Sequence, residues 1–308
     1  MECPNRTAPA VFVLSGFPFP KELKVPLLLF FSFMYILTLS GNSLIVWVVA
    51  SHPQLHKPMY WFLCHLSLLD MAFSSVVVPR VIAGFIPGGK IISFGECMCQ
   101  VFFLQFLGCT ESLLYIVMAY DRFIAICKPL HYGNIMHWRA CLVLSLGIMI
   151  AGCLNSALQT SVTFQLSYGW RNLIDYVCCD NPALLKLACA DTTLNEMVIL
   201  VDVGFVAMTC FILILTSYVY IVLAILRINS SEGRRRAFST CTAHITLVVI
   251  FYVPVVFHYM RPGSQNSMDS VVSMFYTTIT PFLNPAIYTL RNKEMKAILL
   301  KLWSGNPK

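Results

Sequence analysis

Long apolar runs broken by short polar segments make up most of this chain. About twenty mostly apolar residues, wound as helix, cross a hydrocarbon layer. By that measure there are seven crossings, near residues 25–50, 58–86, 98–127, 138–160, 195–227, 236–260 and 270–290. The first two and the last are the cleanest. The fourth and fifth are diluted by Asn155, Ser156 and Asp202 but keep the necessary length. Pro79, Pro254, Pro281 and Pro285 lie inside these runs, which membrane helices tolerate because neighbours and water can satisfy freed carbonyls. The pattern predicts an all-α membrane protein: a seven-helix bundle over 25–290, between an amino-terminal tail, 1–24, and a carboxyl-terminal tail, 291–308.

Composition strengthens this reading. Hydrophobic residues form 58% of the chain and charged residues 11%, with a mean hydropathy of +0.74. Too few polar side chains remain to cover a water-soluble globule, so lipid is the main solvent. Of the 21 Lys and Arg residues, 13 fall in the segments 51–57, 122–139, 227–236 and 291–308. That richer side is cytoplasmic, which puts the amino terminus outside and the carboxyl terminus inside. The net charge of +7 is therefore a topology signal, and no nucleic-acid partner is needed to explain it. The first 23 residues hold Glu2, Arg6, Lys21, Glu22 and four prolines, with no basic start leading into an apolar core. They do not read as a cleaved signal peptide, and the first crossing directs insertion.

The outer side carries two further signals. Asn5-Arg6-Thr7 is a glycan acceptor sequence on the predicted extracellular tail. Cys97, Cys99, Cys178, Cys179 and Cys189 fall in or beside outer segments, where an oxidising compartment permits disulfides. The 13 cysteines are spread along the whole chain, and no metal-ligand spacing stands out among them.

Several polar groups share one depth of the bilayer. Counting about 1.5 Å per helical residue from the cytoplasmic edges puts Asp70 roughly 18 Å and Glu111 roughly 16 Å into the membrane. The same count gives roughly 15 Å for Asn42 and 10 Å for Asn284. Four polar side chains from four helices thus meet near the midplane. They read either as a hydrogen-bonded lock or as a cation site, because two adjacent carboxylates repel unless a proton or cation separates them.

A larger pattern runs from about residue 12 to residue 300, carried by seven short stretches. They are "GNSLIV" (41–46), "LHKPMYWFL" (55–63), "LSLLD" (66–70), "MAYDRFIAICKPLHY" (118–132), "SY" (217–218), "AFSTCTAH" (237–244) and "PFLNPAIYTLRN" (281–292). In that order, each at its expected helix end, they make the chain resemble a mammalian olfactory receptor, a rhodopsin-like G-protein-coupled receptor. The resemblance implies a seven-helix receptor with a short amphipathic eighth helix, in the plasma membrane of sensory cilia. It binds a small volatile or hydrophobic odorant in the outer half of the bundle. Outward motion of helix six then lets it activate an olfactory-type stimulatory G protein and raise cyclic AMP. The coupling residues by matching position are Asp121, Arg122, Tyr218, His244, Asn284, Pro285 and Tyr288. Arg122 is expected to be held at rest by its neighbour Asp121. No cofactor is implied beyond an allosteric sodium ion at Asp70 and Glu111.

The resemblance also implies a disulfide between Cys97 and Cys179, with Cys189 the alternative partner and Cys178–Cys189 open as a second bridge. The implied pocket is Leu104, Gln105, Gly108 and Cys109 of helix three, Asp202 and Val206 of helix five, Tyr252, Val255, Val256 and Tyr259 of helix six, and Thr277 of helix seven. An acid at position 202 departs from the apolar residues usual there. It either faces the pocket, or meets loop water or a loop cation such as Arg171 or Lys186. Other departures are Gly169 where the family commonly has cysteine, Pro254 where Ser, Thr or Gly is common, and Trp61 in place of Phe.

Rival classes have less support. There is no HExxH, no GxSxG and no Gly-rich phosphate loop, which argues against an enzyme. Residues 270–290 contain no lysine to hold retinal. An ion-coupled small-molecule transporter is the remaining alternative, since midplane carboxylates suit ion coupling, but no inverted repeat is visible between the halves.

Overall fold

The computed structural model describes residues 9–16, 20–169, 172–227, 230–259, 277–287 and 293–304. In chain order the elements are strand β1 (Val11–Leu14), helices α1 (Lys24–Ser51) and α2 (Pro58–Gly84), strand β2 (Ile91–Ser93) and helix α3 (Phe94–Cys127). There follow α4 (Tyr132–Ile135), α5 (Trp138–Phe164), strand β3 (Leu173–Ile174), α6 (Asn181–Leu187), α7 (Thr193–Leu226) and α8 (Ser231–Tyr259). A helix over 277–287, α9, and α10 (Lys293–Trp303) complete the chain.

Five of these are long and apolar enough to span a membrane: Lys24–Ser51, Pro58–Gly84, Phe94–Cys127, Trp138–Phe164 and the stretch Met208–Leu226 of α7. A shorter apolar stretch, His244–Val255, lies within α8. The helix over 277–287 covers the middle of the seventh predicted crossing, whose ends lie outside the described residues. Large apolar side chains such as Leu29, Phe33, Ile36, Trp47, Ile150, Leu154 and Leu215 point outward. In lipid that is the expected arrangement, since burying them gains nothing over hydrocarbon.

The ends of the helices differ from the hydropathy limits for identifiable reasons. α3 begins at Phe94 rather than near 98 because Ser93 caps it. The Ser93 hydroxyl accepts from the Glu96 N–H at 3.2 Å, and the Glu96 carboxylate accepts from the Ser93 N–H at 2.9 Å. This capping box satisfies two N–H groups that would otherwise be orphaned. α8 starts at Ser231 rather than 236, so its first turns are a polar helix beyond the apolar run.

α3 lies at the centre, packed against α2, α5, α7 and α8. Its approach to α5 depends on Gly152, where an added Cβ would stand 2.3 Å from the Thr110 Oγ1. Small residues at such crossings let membrane helices come close enough for dispersion to hold them. At the cytoplasmic end, α10 presents an apolar face to α1 and α2. Met295 is buried against Ile45, Val48, Val49, Leu55, Tyr60 and Leu63. Glu294 accepts from Lys57 at 2.9 Å and from the Tyr60 hydroxyl at 2.9 Å. The expected amphipathic eighth helix is α10.

Outside the membrane the chain is more ordered than a simple tail. β1 is the centre of a three-stranded sheet, antiparallel to β2 (Phe12 opposite Ile92) and parallel to β3 (Val13 opposite Leu173). Phe12 and Leu14 are buried while Val11 is exposed, the alternation a half-buried strand requires. The Phe12 ring meets Tyr168 edge-on with centroids 5.6 Å apart. The amino-terminal segment thus contributes a strand over residues 11–14; Asn5 lies outside the described residues.

Cys97 and Cys179 are joined, with their Cα atoms 5.4 Å apart across a sequence separation of 82. The second bridge is not Cys178–Cys189: Cys178 is a free, buried thiol, whereas Cys189 is disulfide-bonded. Burial, then the charge of nearby Asp180, pushes the Cys178 thiol well above its ordinary range. Cys189 instead sits against Gly169, where an added Cβ would be 3.2 Å from its sulfur. Gly169 has φ +56°, a conformation glycine adopts without strain.

Peptide mapping of non-reduced receptor is expected to recover Cys97 and Cys179 as one linked pair, with Cys178 alkylated only after unfolding. Linkage of Cys178 to Cys189 would contradict this arrangement. Because the bridge closes a long loop, Cys97→Ser should cost about 4–5 kcal/mol in the chain-entropy picture and lower the thermal midpoint.

Candidate functional site

The midplane polar residues form connected groups rather than one cluster. Asp70 is fully buried, and Asn284 of α9 donates its amide Nδ2 to both carboxylate oxygens, at 2.9 and 3.0 Å. Asn42 of α1 donates instead to the carbonyl of Pro281, at 3.1 Å. In a helix that carbonyl would accept from the N–H of residue 285, but Pro285 has none. Asn42 thus replaces the hydrogen bond that the second proline removes.

Glu111 is also buried; its Oε1 accepts from the Tyr115 hydroxyl at 2.9 Å, and its charge acts on Asp70. Carboxylates buried in a low-dielectric interior are stabilised by a proton or a cation. Among the described residues, Asn42 Oδ1, Asn284 Oδ1 and Ser74 Oγ are buried without a hydrogen-bond partner. All are hard oxygen donors, so the residues fit a hard cation such as sodium.

From Tyr115 a chain of rings descends toward the cytoplasm. Tyr115 stands edge-on to His244 at 5.9 Å, and His244 shares a 2.7 Å hydrogen bond between its Nδ1 and the Tyr218 hydroxyl. The His244 and Tyr218 rings stack with centroids 5.7 Å apart. Higher on α8, the Tyr252 hydroxyl donates to the Ser112 carbonyl of α3 at 3.2 Å. α8, the helix expected to swing, is therefore tied to both α3 and α7.

At the foot of α3, Asp121 accepts from Arg122 at 2.7 Å and from the Tyr132 hydroxyl at 2.7 Å. The Arg122 side chain keeps 16% of its exposure. Burial, and then the charge of Asp121, pushes the Tyr132 phenol above its ordinary range, so it stays a donor. Tyr132 lies within the recognised motif but carried no assigned role. Its signal was the proximity of a tyrosine-bearing loop to the acid-base pair. Pro285 is in α9; Tyr288 lies outside the described residues.

In the outer half, Leu104, Gln105, Gly108 and Cys109 lie on α3, with Val206 on α7 and Tyr252 and Val255 on α8. A Cβ at Gly108 would meet nothing within 4 Å, so the helix borders open space there. Thr277 is buried at the start of α9. Val256 and Tyr259 fall in α8, but their side chains lie outside what is described.

Asp202 takes neither of the expected directions outright. Its Oδ2 accepts from Asn155 at 3.2 Å and from the Gln159 amide, both on α5. Among the described residues Lys186 is not a partner, and Arg171 is outside them. The carboxylate lies beside Cys109, and its Oδ1 accepts nothing from the described side chains. Gln159 in turn accepts from Asn181, and Asn181 from Thr163, at 2.9 and 3.1 Å. This chain of amides connects the acid to the loop helix α6. Asn155 and Gln159, four residues apart in an apolar helix, were the overlooked sign of a polar face.

Comparison with known proteins agrees with this geometry. Residues 31–305 match the family model described as olfactory receptor. Human olfactory receptor 10G6 is 56% identical over 298 residues, covering 97% of this chain and 90% of that protein. Human olfactory receptor 10G7 is 50% identical over 303 residues (98% and 97%), and mouse olfactory receptor 10D1B 48% over 296 (96% and 95%). The chain belongs to the olfactory receptor family of seven-helix G-protein-coupled receptors, multi-pass membrane proteins that signal and are not enzymes.

Proposed function

We propose that this receptor binds a small hydrophobic or volatile odorant among α3, α7 and α8 and activates the olfactory-type stimulatory G protein, raising cyclic AMP. Sensory cilia are the expected site of action. The observation that carries the reading is the Asp121–Arg122 pair, 2.7 Å apart and closed by Tyr132, at the foot of a bundle whose α8 is held by Tyr218 and Tyr252. A ligand that favours release of α8 would free Arg122 to meet the G protein, and the G protein would favour the same state. Each therefore raises the affinity of the other.

Asp202 gives the pocket a polar wall. Two amide donors fix its Oδ2 and leave Oδ1 for a ligand cation or hydroxyl. Asp70, Glu111 and Asn284 would hold a sodium ion, whose charge would offset the two carboxylates and favour the resting bundle.

Three outcomes are expected. Arg122→Ala should abolish odorant-dependent nucleotide exchange at normal surface expression; full signalling by that variant would remove Arg122 from coupling. Asp202→Asn should weaken cationic agonists at least tenfold, about 1.4 kcal/mol, while neutral agonists shift much less. Equal shifts in both classes would place Asp202 outside recognition. Glu111→Gln should remove the effect of sodium on basal cyclic AMP and on the thermal midpoint of purified receptor, and an unchanged sodium response would leave only a hydrogen-bonded lock.

A further inference from the structure

Between the outer ends of α2 and α3 lies an open crevice of about 410 Å³, outside the pocket and the coupling end. Val76 and Arg80 of α2 line one side, Glu96, Gln100 and Phe103 of α3 the other, and Ile92 the top. We infer that this crevice holds a phospholipid of the outer leaflet with a zwitterionic headgroup, its phosphate on Arg80 and its ammonium on Glu96.

Depth is the first argument. Arg80 is 22 residues beyond Pro58, roughly 33 Å along the helix at about 1.5 Å per residue. The hydrocarbon layer is about 30 Å thick, so Arg80 sits at headgroup level. Glu96 is in the first turn of α3, at the same outer end. Phe103, two turns further down, is 46% exposed and forms an apolar wall at acyl-chain depth.

Charge is the second. Arg80 and Glu96 line one crevice and feel each other's charge, yet they form no ion pair. Each is half-occupied elsewhere. Arg80 donates one terminal nitrogen to the Ile91 carbonyl, while its Nε is buried without a partner. Glu96 accepts from the Ser93 N–H through Oε2, and its carboxylate is exposed to the crevice mouth. A separated cation and anion complement a zwitterion better than either an anionic or a neutral headgroup. Arg is also the side chain best suited to phosphate.

Rigidity is the third. Gln100 donates to the Val76 carbonyl at 3.0 Å and accepts from the Cys179 N–H at 2.8 Å. That clamp fixes the floor of the crevice to the disulfide-pinned loop, so a bound lipid would not have to order it.

The test uses purified full-length receptor in nanodiscs carrying a trace of photoactivatable phosphatidylcholine, with cross-links mapped by mass spectrometry. Adducts should concentrate on residues 75–103 and fall at least fivefold in Arg80→Gln and in Glu96→Gln. Glu96→Gln keeps a side chain able to accept from Ser93, and a retained Cys97–Cys179 bridge and thermal midpoint verify folding. Excess unlabelled phosphatidylcholine should compete, and phosphatidylglycerol should compete several-fold less well. Labelling spread evenly over the bundle, or equal competition by phosphatidylglycerol, would overturn the proposal. So would displacement by soluble glycerophosphocholine alone, since the ligand would then be a free zwitterion.

Discussion

A peptide carbonyl facing hydrocarbon has no water to turn to, and each one left unpaired costs several kcal/mol. The bundle is organised around that constraint. Pro285 removes an N–H in the middle of α9, and the freed Pro281 carbonyl recruits Asn42 from α1. Asn284, beside the proline, reaches Asp70 on α2. One missing hydrogen bond therefore links three helices. Toward the outer end, Gln100 of α3 also joins α2 through the Val76 carbonyl, at 3.0 Å.

A second consequence is that the polar groups connect vertically. Glu111 and Tyr115 meet the midplane network above and His244 below, and His244 meets Tyr218. Movement of α8 would alter the ring packing, the Tyr218 bond and the Tyr252 bond together. Buried hydrogen bonds of this kind change in discrete steps, which favours two arrangements over a continuum.

Hydropathy made the membrane helices legible, and charge gave their orientation. The exact ends were set by chemistry that a hydropathy window averages away, such as the Ser93–Glu96 capping box. β1 was missed because four residues carry little periodicity and their partners lie far along the chain. The cytoplasmic pair was legible from its motif, but its clamp, Tyr132, depends on how a loop helix folds back. The direction of Asp202 was not legible, because it depends on the rotation of α7 against α5. Of the amides that fix it, Asn155 was visible only as dilution of an apolar run, and Gln159 was not singled out. The alternative pairing of Cys178 fails because its thiol is free and buried, while Cys179 takes the bond to Cys97.

The outer sheet bears on how the protein is made. β1 precedes the first membrane helix in the chain, yet its partners are residues 91–93 and 173–174. It must wait in the lumen while three further helices are inserted before β2 and β3 can flank it. The Cys97–Cys179 bond closes over the same interval. Completion of the sheet is thus a late step in biosynthesis that reports on correct insertion of the first half of the bundle. Until β3 follows, the amino-terminal strand keeps one edge unpaired, the kind of edge that templates pairing with another chain.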